Sequence, residues 1–155
     1  MSAGYGGGSG SGQPAAEGAK VSQRTQKEDP NFENDFSREI IGAAVEVQRV
    51  LGVGLLESAY AAALAIELQE GGLAFRRDVP VEAMYKGTPL GVAYRADFIV
   101  EGRVLIELKA TDVVNEAHRA QLLSYLRVSN LKLGLLINFH VFPVFKGIHR
   151  VVNKL

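Results

Sequence analysis

The sequence predicts a single α/β domain whose mixed central sheet carries helices on both faces. Three features predict it: two helical periodicities at the start of the ordered region, a meander of strand-like segments, and an amphipathic helix lying between two apolar strands. At 155 residues and 47% hydrophobic, the chain can bury one sizeable core.

Residues 1–34 differ in composition from the rest. Glycine and serine dominate Gly4 to Gly12, and a polar stretch with Lys27, Glu28 and Asp29 follows. Such a segment buries too little apolar surface to offset its ordering entropy, so a flexible tail is expected there, with the folded domain over 35–155. The first helix is expected from near Phe36. Ile40, Ile41, Ala44, Val45, Gln48 and Leu51 recur at helical spacing, Ser37 is placed to cap, and Gly52 and Gly54 end it. Glu57 to Glu70 gives a second helix with Tyr60, Ala63, Leu64 and Leu68 on its apolar face, stopped by Gly71-Gly72. Strands are expected at Phe75–Val79, Val81–Tyr85, Val92–Val100 and Val104–Lys109, with a turn at Lys86-Gly87. A third helix from about Asn115 to Val128 precedes the buried strand Leu133–Asn138, and His149–Val152 forms a short last strand. If Val104–Lys109 and Leu133–Asn138 are parallel, the helix between them is a right-handed crossover.

Composition narrows the chemistry. Seventeen basic residues balance 17 acidic ones, which excludes a polycation that binds nucleic acid by bulk charge. With no cysteine, disulfides, cysteine-ligated zinc and iron–sulfur clusters are excluded, and a reducing, cytoplasmic setting is expected. The apolar runs are far short of a membrane span, and the basic-then-apolar start of a signal peptide is missing, so no membrane partner is expected.

The chemistry lies between Asp97 and Lys109. Alternation puts Glu107 and Lys109 on one face of an otherwise apolar strand, with Ile106 and Leu108 on the other. Charges on an interior strand are costly unless paired or metal-bound. Whether Asp97 joins them depends on hairpin register. A two-residue turn at Glu101-Gly102 pairs Val100 with Arg103 and sends Asp97 to the opposite face. A three-residue loop, Val100-Glu101-Gly102, pairs Ile99 with Arg103 and sets Asp97 diagonal to Glu107 on the shared face. In that register two carboxylates and an ammonium converge, a donor set that suits Mg²⁺ or Mn²⁺. D-x9-E-x-K alone is a weak motif, and an ordinary strand-edge ion pair accounts for it equally well.

Several further motifs in order sharpen the reading. Gly54-Leu55-Leu56-Glu57-Ser58-Ala59-Tyr60 reads G-x-x-E-x-x-Y; Arg95-Ala96-Asp97, Glu107-Leu108-Lys109-Ala110, Gln121 to Leu126 and Gly134 to Phe139 follow. Together, over about Phe36 to Asn153, they resemble the GxxExxY proteins, a branch of the PD-(D/E)XK nuclease superfamily. The resemblance implies a single restriction-endonuclease-like domain and a divalent-metal-dependent nuclease acting on nucleic acid, DNA first. It implies Asp97, Glu107 and the Leu108 main-chain carbonyl as metal ligands, Lys109 as the catalytic lysine, and Glu57 as an acid presented from the early helix. Gln121 and Tyr125 match the Q-x-x-x-Y element of RecB-like and Cas4-like nucleases. Ala96 replaces the proline of the eponymous P-D, which leaves the carboxylate in place.

On the residues themselves, Glu57, Tyr60 and Leu64 share one helix face, as do His118, Gln121 and Tyr125. Tyr60 and Tyr125 read first as core aromatics with bonded hydroxyls. Arg95 falls on the Asp97 face by alternation, and Arg119 adds positive charge nearby; with Tyr125 they are the candidate nucleic-acid contacts. A second reading stays open, a non-catalytic nucleic-acid-binding module that self-assembles through its glycine-rich tail as a homo-oligomer. Deleting residues 1–34 should move the thermal midpoint by no more than a few degrees, roughly 1 kcal/mol for a domain of this size. Calorimetry on the full and shortened chains checks this.

Overall fold

The fold is built on a five-stranded sheet. The computed structural model describes residues 36–154, so the tail expected over 1–34 lies outside the described residues. Helices α1 (Ser37–Leu51) and α2 (Glu57–Glu70) come first, then strands β1 (Phe75–Tyr85), β2 (Thr88–Val100) and β3 (Val104–Lys109). Helix α3 (Glu116–Ser129) leads to β4 (Leu133–Asn138), and a 3₁₀ turn (Val144–Gly147) runs into β5 (Ile148–Val152). Sheet order follows chain order, β1-β2-β3-β4-β5. Only β3 and β4 run parallel, joined through α3; the other pairs are antiparallel. The described residues therefore form a single α/β domain with a mixed central sheet and helices on both faces, as the sequence predicts.

Two apolar layers flank the sheet. On one face, Ile40, Ala44 and Val47 of α1 and Tyr60, Leu64 and Leu68 of α2 pack on Phe98, Val100, Ile106, Leu135 and Ile137. On the other, Leu122 and Leu126 of α3 cover Leu105, Leu136, Ala96 and Val79. Their spacings of three, four and eight are the helical stripe read from the sequence. Strand β4 is buried along its whole length, and Gly134 lets α3 lie close: a Cβ there would stand 3.0 Å from the Leu122 side chain.

Three local expectations change. Ser37 does not cap α1. Phe36 holds that place in a left-handed conformation with no side-chain bond, while Ser37 is buried and its hydroxyl accepts from Arg150. Val45 falls on the exposed side of α1. The segments Phe75–Val79 and Val81–Tyr85 form one strand running through Pro80, because Pro80 lies on the outer strand of the sheet, where a missing N–H leaves no neighbour unbonded.

Gln48, a polar residue in the α1 stripe, ties that helix to the end of β4. Its amide donates to the carbonyls of Phe139 (3.1 Å) and Val141 (2.7 Å), and its oxygen accepts from Val144 N–H (2.8 Å). Gln48→Ala leaves those main-chain groups without these partners. It should cost about 2–4 kcal/mol, read as a lower urea midpoint with unchanged m-value.

Candidate active site

The β2–β3 hairpin decides whether the acids meet. Glu101 (φ 54°) and Gly102 (φ 65°) are both left-handed, and Arg103 N–H donates to Val100 O at 2.9 Å. This is the tight turn at Glu101-Gly102 that would separate the acids, but Arg103 is an extra residue: the first cross-strand pair is Val100 with Val104. The expected pairing of Ile99 with Arg103 is therefore replaced by Ile99 with Leu105. Continuing this register sets Asp97 opposite Glu107 rather than diagonal to it.

Beyond Phe98–Ile106 the ladder stops. The Asp97 carboxylate takes the place of a main-chain acceptor there: Oδ2 receives the Leu108 N–H at 2.8 Å. Strand β2 also turns over at this point. Phe98 and Val100 pack under α1 and α2, whereas Tyr94 and Ala96 pack under α3, although alternation would put all four on one face. Its partner β1 turns over too, between Arg77, which lies over the Phe98 ring at 5.4 Å, and Val79 in the α3 layer. Between them is Asp78, at φ 50°, a backbone region that Asp enters more readily than most residues. Asp78 escaped the sequence reading. Its one signal was an Asp, a residue type depleted in strands, inside a strand-like run.

The turn-over corrects one expectation. Arg95 sits between Tyr94 and Ala96, whose side chains pack under α3, so it projects from the opposite face. It does not share the Asp97–Glu107 face, because alternation fails across a residue where the strand turns over.

Glu107 is held in a partly buried notch facing Asp97. Its Oε1 is buried and has no hydrogen-bond partner. Burial, then the Asp97 charge and a hydrogen bond shared with the Asp97 carboxyl, push its pKa up to about 9, against the opposing pull of Lys109 and the Asp97 N–H. Glu57, at the first turn of α2, is also raised, by burial and then by Asp97, while Lys109 and the Ala110 N–H pull it down. The end of α2 is delivered there by Tyr60, whose hydroxyl donates to Gly52 O (2.8 Å) and accepts from Leu55 N–H (3.3 Å) while its ring stacks on Phe139 at 4.6 Å. Gly54, at φ 95°, takes a bend that a side chain would oppose. Gly54, Glu57 and Tyr60 are thus a bend, an acid and an anchor.

From the α3 side, Tyr125 stacks on Tyr94 with ring centroids 3.8 Å apart. Burial, then Glu107 and Asp97, raise its pKa. Gln121 is exposed, one turn before Tyr125. Arg119 contacts His149 of β5 (2.9 Å) and Glu116 (3.8 Å); His149 is in register with Leu136, and Leu136 with Glu107. His118 closes a capping box with Asn115 at the start of α3. Asn138, also unassigned from sequence, is buried and clamps Thr111 on both its N–H and C=O, fixing the chain just after Lys109.

With Asp97, Glu107, Lys109 and Glu57 gathered at one end of the sheet, a comparison with known families decides the class. A profile of the PD-(D/E)XK nuclease superfamily matches residues 34–151. The chain belongs to that superfamily. A search of curated proteins found no match. Membership points to nuclease chemistry in general and to a nucleic-acid substrate, and nucleases of this superfamily generally use divalent metal ions. Among the described residues no three His, Asp or Glu side chains form a ready metal-binding group. The donor set still suits a hard cation. Mg²⁺ takes one or two protein carboxylates and keeps waters, and the buried, unbonded Glu107 Oε1 opposite Asp97 is the kind of oxygen such a cation satisfies. Among the described residues no helix is long and apolar enough to cross a membrane.

A pH dependence follows. The folded pKa of Glu107 lies above its ordinary value of 4.5, so the folded, metal-free protein holds a proton that the unfolded chain releases. Its contribution to stability is full below about 4.5 and is lost as pH rises toward about 9. In chelator, Glu107→Gln should be more stable than wild type by roughly 1–3 kcal/mol near pH 8, the gap closing toward pH 5. Thermal midpoints across that range check it.

Proposed function

We propose that the protein is a divalent-metal-dependent nuclease that hydrolyses phosphodiester bonds of nucleic acid, with DNA the first candidate. The observation that carries this reading is the facing pair Asp97 and Glu107, with an unsatisfied carboxylate oxygen, beside Lys109 on the same strand. Asp97, Glu107 and the Leu108 carbonyl would hold Mg²⁺ or Mn²⁺. When bound, the ion would polarise the phosphodiester and lower the pKa of a coordinated water. Lys109 then orients the attacking water or stabilises charge gathering on the phosphoryl oxygens. Glu57, with its raised pKa, can accept a hydrogen bond from that water and receive its proton. The water oxygen bonds to phosphorus, one P–O ester bond breaks, and the departing alkoxide takes a proton from solvent. Gln121 and Tyr125, one helical turn apart on α3, are assigned to holding the strand, as the Q-x-x-x-Y resemblance implies. Within the superfamily we assign the chain to the GxxExxY branch, because Gly54, Glu57 and Tyr60 have the separate mechanical roles described above.

Lys109→Ala and Glu107→Ala should fail differently. Loss of Glu107 should weaken Mn²⁺ binding and abolish cleavage together. Loss of Lys109, whose charge repels the cation, should leave Mn²⁺ affinity intact or raised while cleavage falls about 10²–10⁴-fold. Calorimetric Mn²⁺ titration paired with cleavage of labelled DNA and RNA reads both. If all three proteins bind Mn²⁺ equally and none cuts any substrate, the reading is wrong and a non-catalytic binding module takes its place.

A further inference from the structure

A guanidinium and an imidazole meet on the α3 face of the sheet. Cross-strand partners point to one side of a sheet, and so do residues two apart along a strand. Leu105 and Leu136 pack under α3. Glu107, two residues after Leu105, therefore shares that face, and His149 joins it by pairing with Leu136. Since Leu136 also pairs with Glu107, the three form one row across β3, β4 and β5. His149 stands two strand spacings, about 10 Å, from Glu107. Arg119 reaches the far end of this row from the start of α3, its Nη2 2.9 Å from His149 Nδ1. Leu136, buried, lies between this pair and the acids. Arg150, next to His149, bonds to Ser37 of α1 on the other face.

The pair fixes a cation without cancelling it. A guanidinium only donates and keeps its proton, so Nδ1 is the acceptor and the ring is neutral. Burial, then the Arg119 charge, hold the His149 pKa below its ordinary value against the pull of Glu116, which keeps the ring an acceptor at neutral pH. Arg49 shows the contrast: its guanidinium meets both Glu46 carboxylate oxygens, at 2.8 and 2.7 Å, and the charges cancel. The acid beside Arg119 is Glu116, at 3.8 Å with its side chain 90% exposed, a contact that water screens. Arg119 is thus held in one place while 45% of its side chain stays in water, with N–H groups unspent. Its rotamer freedom is given up before any ligand arrives, which favours binding. A fork of donors prepared in this way matches the oxygens of a phosphate. In a chain of this superfamily, on the row that carries Glu107, the phosphate at hand is that of a nucleic-acid strand.

We propose that Arg119, positioned by His149, anchors a phosphate of the substrate strand a few nucleotides from the phosphodiester cut at Asp97, Glu107 and Lys109. That the anion belongs to a substrate strand rests on the nuclease reading of the neighbouring site. The test is binding of a labelled DNA oligonucleotide by the full chain, in chelator, across a range of chloride concentrations. Arg119→Gln should weaken binding about ten-fold at low salt. It should also lower the slope of log affinity against log salt by about 0.7–0.9, the signature of one lost phosphate contact. His149→Asn keeps an acceptor close to the place of Nδ1 and should bind nearly as wild type. His149→Leu has no acceptor and should weaken binding with the thermal midpoint of the asparagine variant. Equal slopes for wild type and Arg119→Gln overturn the proposal, as does a wild type that binds no oligonucleotide. Equal weakening in the asparagine and leucine variants removes His149 from its positioning role. Inorganic phosphate that displaces the oligonucleotide far better than chloride at equal ionic strength would assign Arg119 to a free anion instead. A lowered slope in Arg119→Gln, with no substrate cut by wild type in Mn²⁺, keeps the phosphate contact and sinks the nuclease. Lys109-dependent cleavage with equal slopes does the reverse.

Discussion

One hydrogen bond organises the site: Leu108 N–H donates to Asp97 Oδ2. Strand β3 is interior, with β2 on one side and β4 on the other, so its main-chain donors must find partners inside the protein. Because β2 and β3 part beyond the Phe98–Ile106 pair, the N–H of Leu108 has no ladder acceptor, and the Asp97 carboxylate supplies one. That fixes Asp97 in the gap between the strands. It also leaves Glu107 facing a second carboxylate in partly buried surroundings. The raised pKa of Glu107 and its unbonded Oε1 are the electrostatic consequence. The site is therefore set up at some cost to the metal-free fold, as functional sites often are.

Residues outside the notch hold its edges. Tyr60 fixes the loop that delivers Glu57, and Asn138 clamps the chain after Lys109. Gln48 joins α1 to the segment following β4. Each is a buried polar group whose bonds run to main-chain atoms of a connecting segment, so each converts a loop into a fixed support. The two layers contribute from opposite sides, Glu57 from α2 and Tyr125 from α3, because the gap between β2 and β3 opens the notch to both. Position and electrostatics here have one origin, the point at which two strands part.

Much of this was legible in the sequence. The helical stripes Ile40, Ala44, Gln48 and Tyr60, Leu64, Leu68 gave their helices and buried faces, since a period near 3.6 depends only on local spacing. The apolar run Leu133–Asn138 gave a buried strand for the same reason. Glu107 and Lys109 could be put on one face because β3 is short and regular. Sequence alone thus determined the element order, the α/β class and the residue types able to bind a hard cation.

Tertiary structure decided what alternation could not carry through an irregularity. The extra residue Arg103 restored the register that the tight turn at Glu101-Gly102 would have lost. The turn-over at Asp78 and Asp97 put Arg95 on the wrong face for the role its spacing suggested. Arg119 was drawn to His149 and Glu116 because a helix position fixes a direction but not the neighbour found there. Ser37 became a buried acceptor for Arg150, a residue 113 positions away. For Arg95, Arg119 with His149, and Ser37 the deciding contacts join strands or layers distant in sequence. Local periodicity has no access to such contacts, because packing and the need to satisfy buried main-chain groups are settled only when the layers come together.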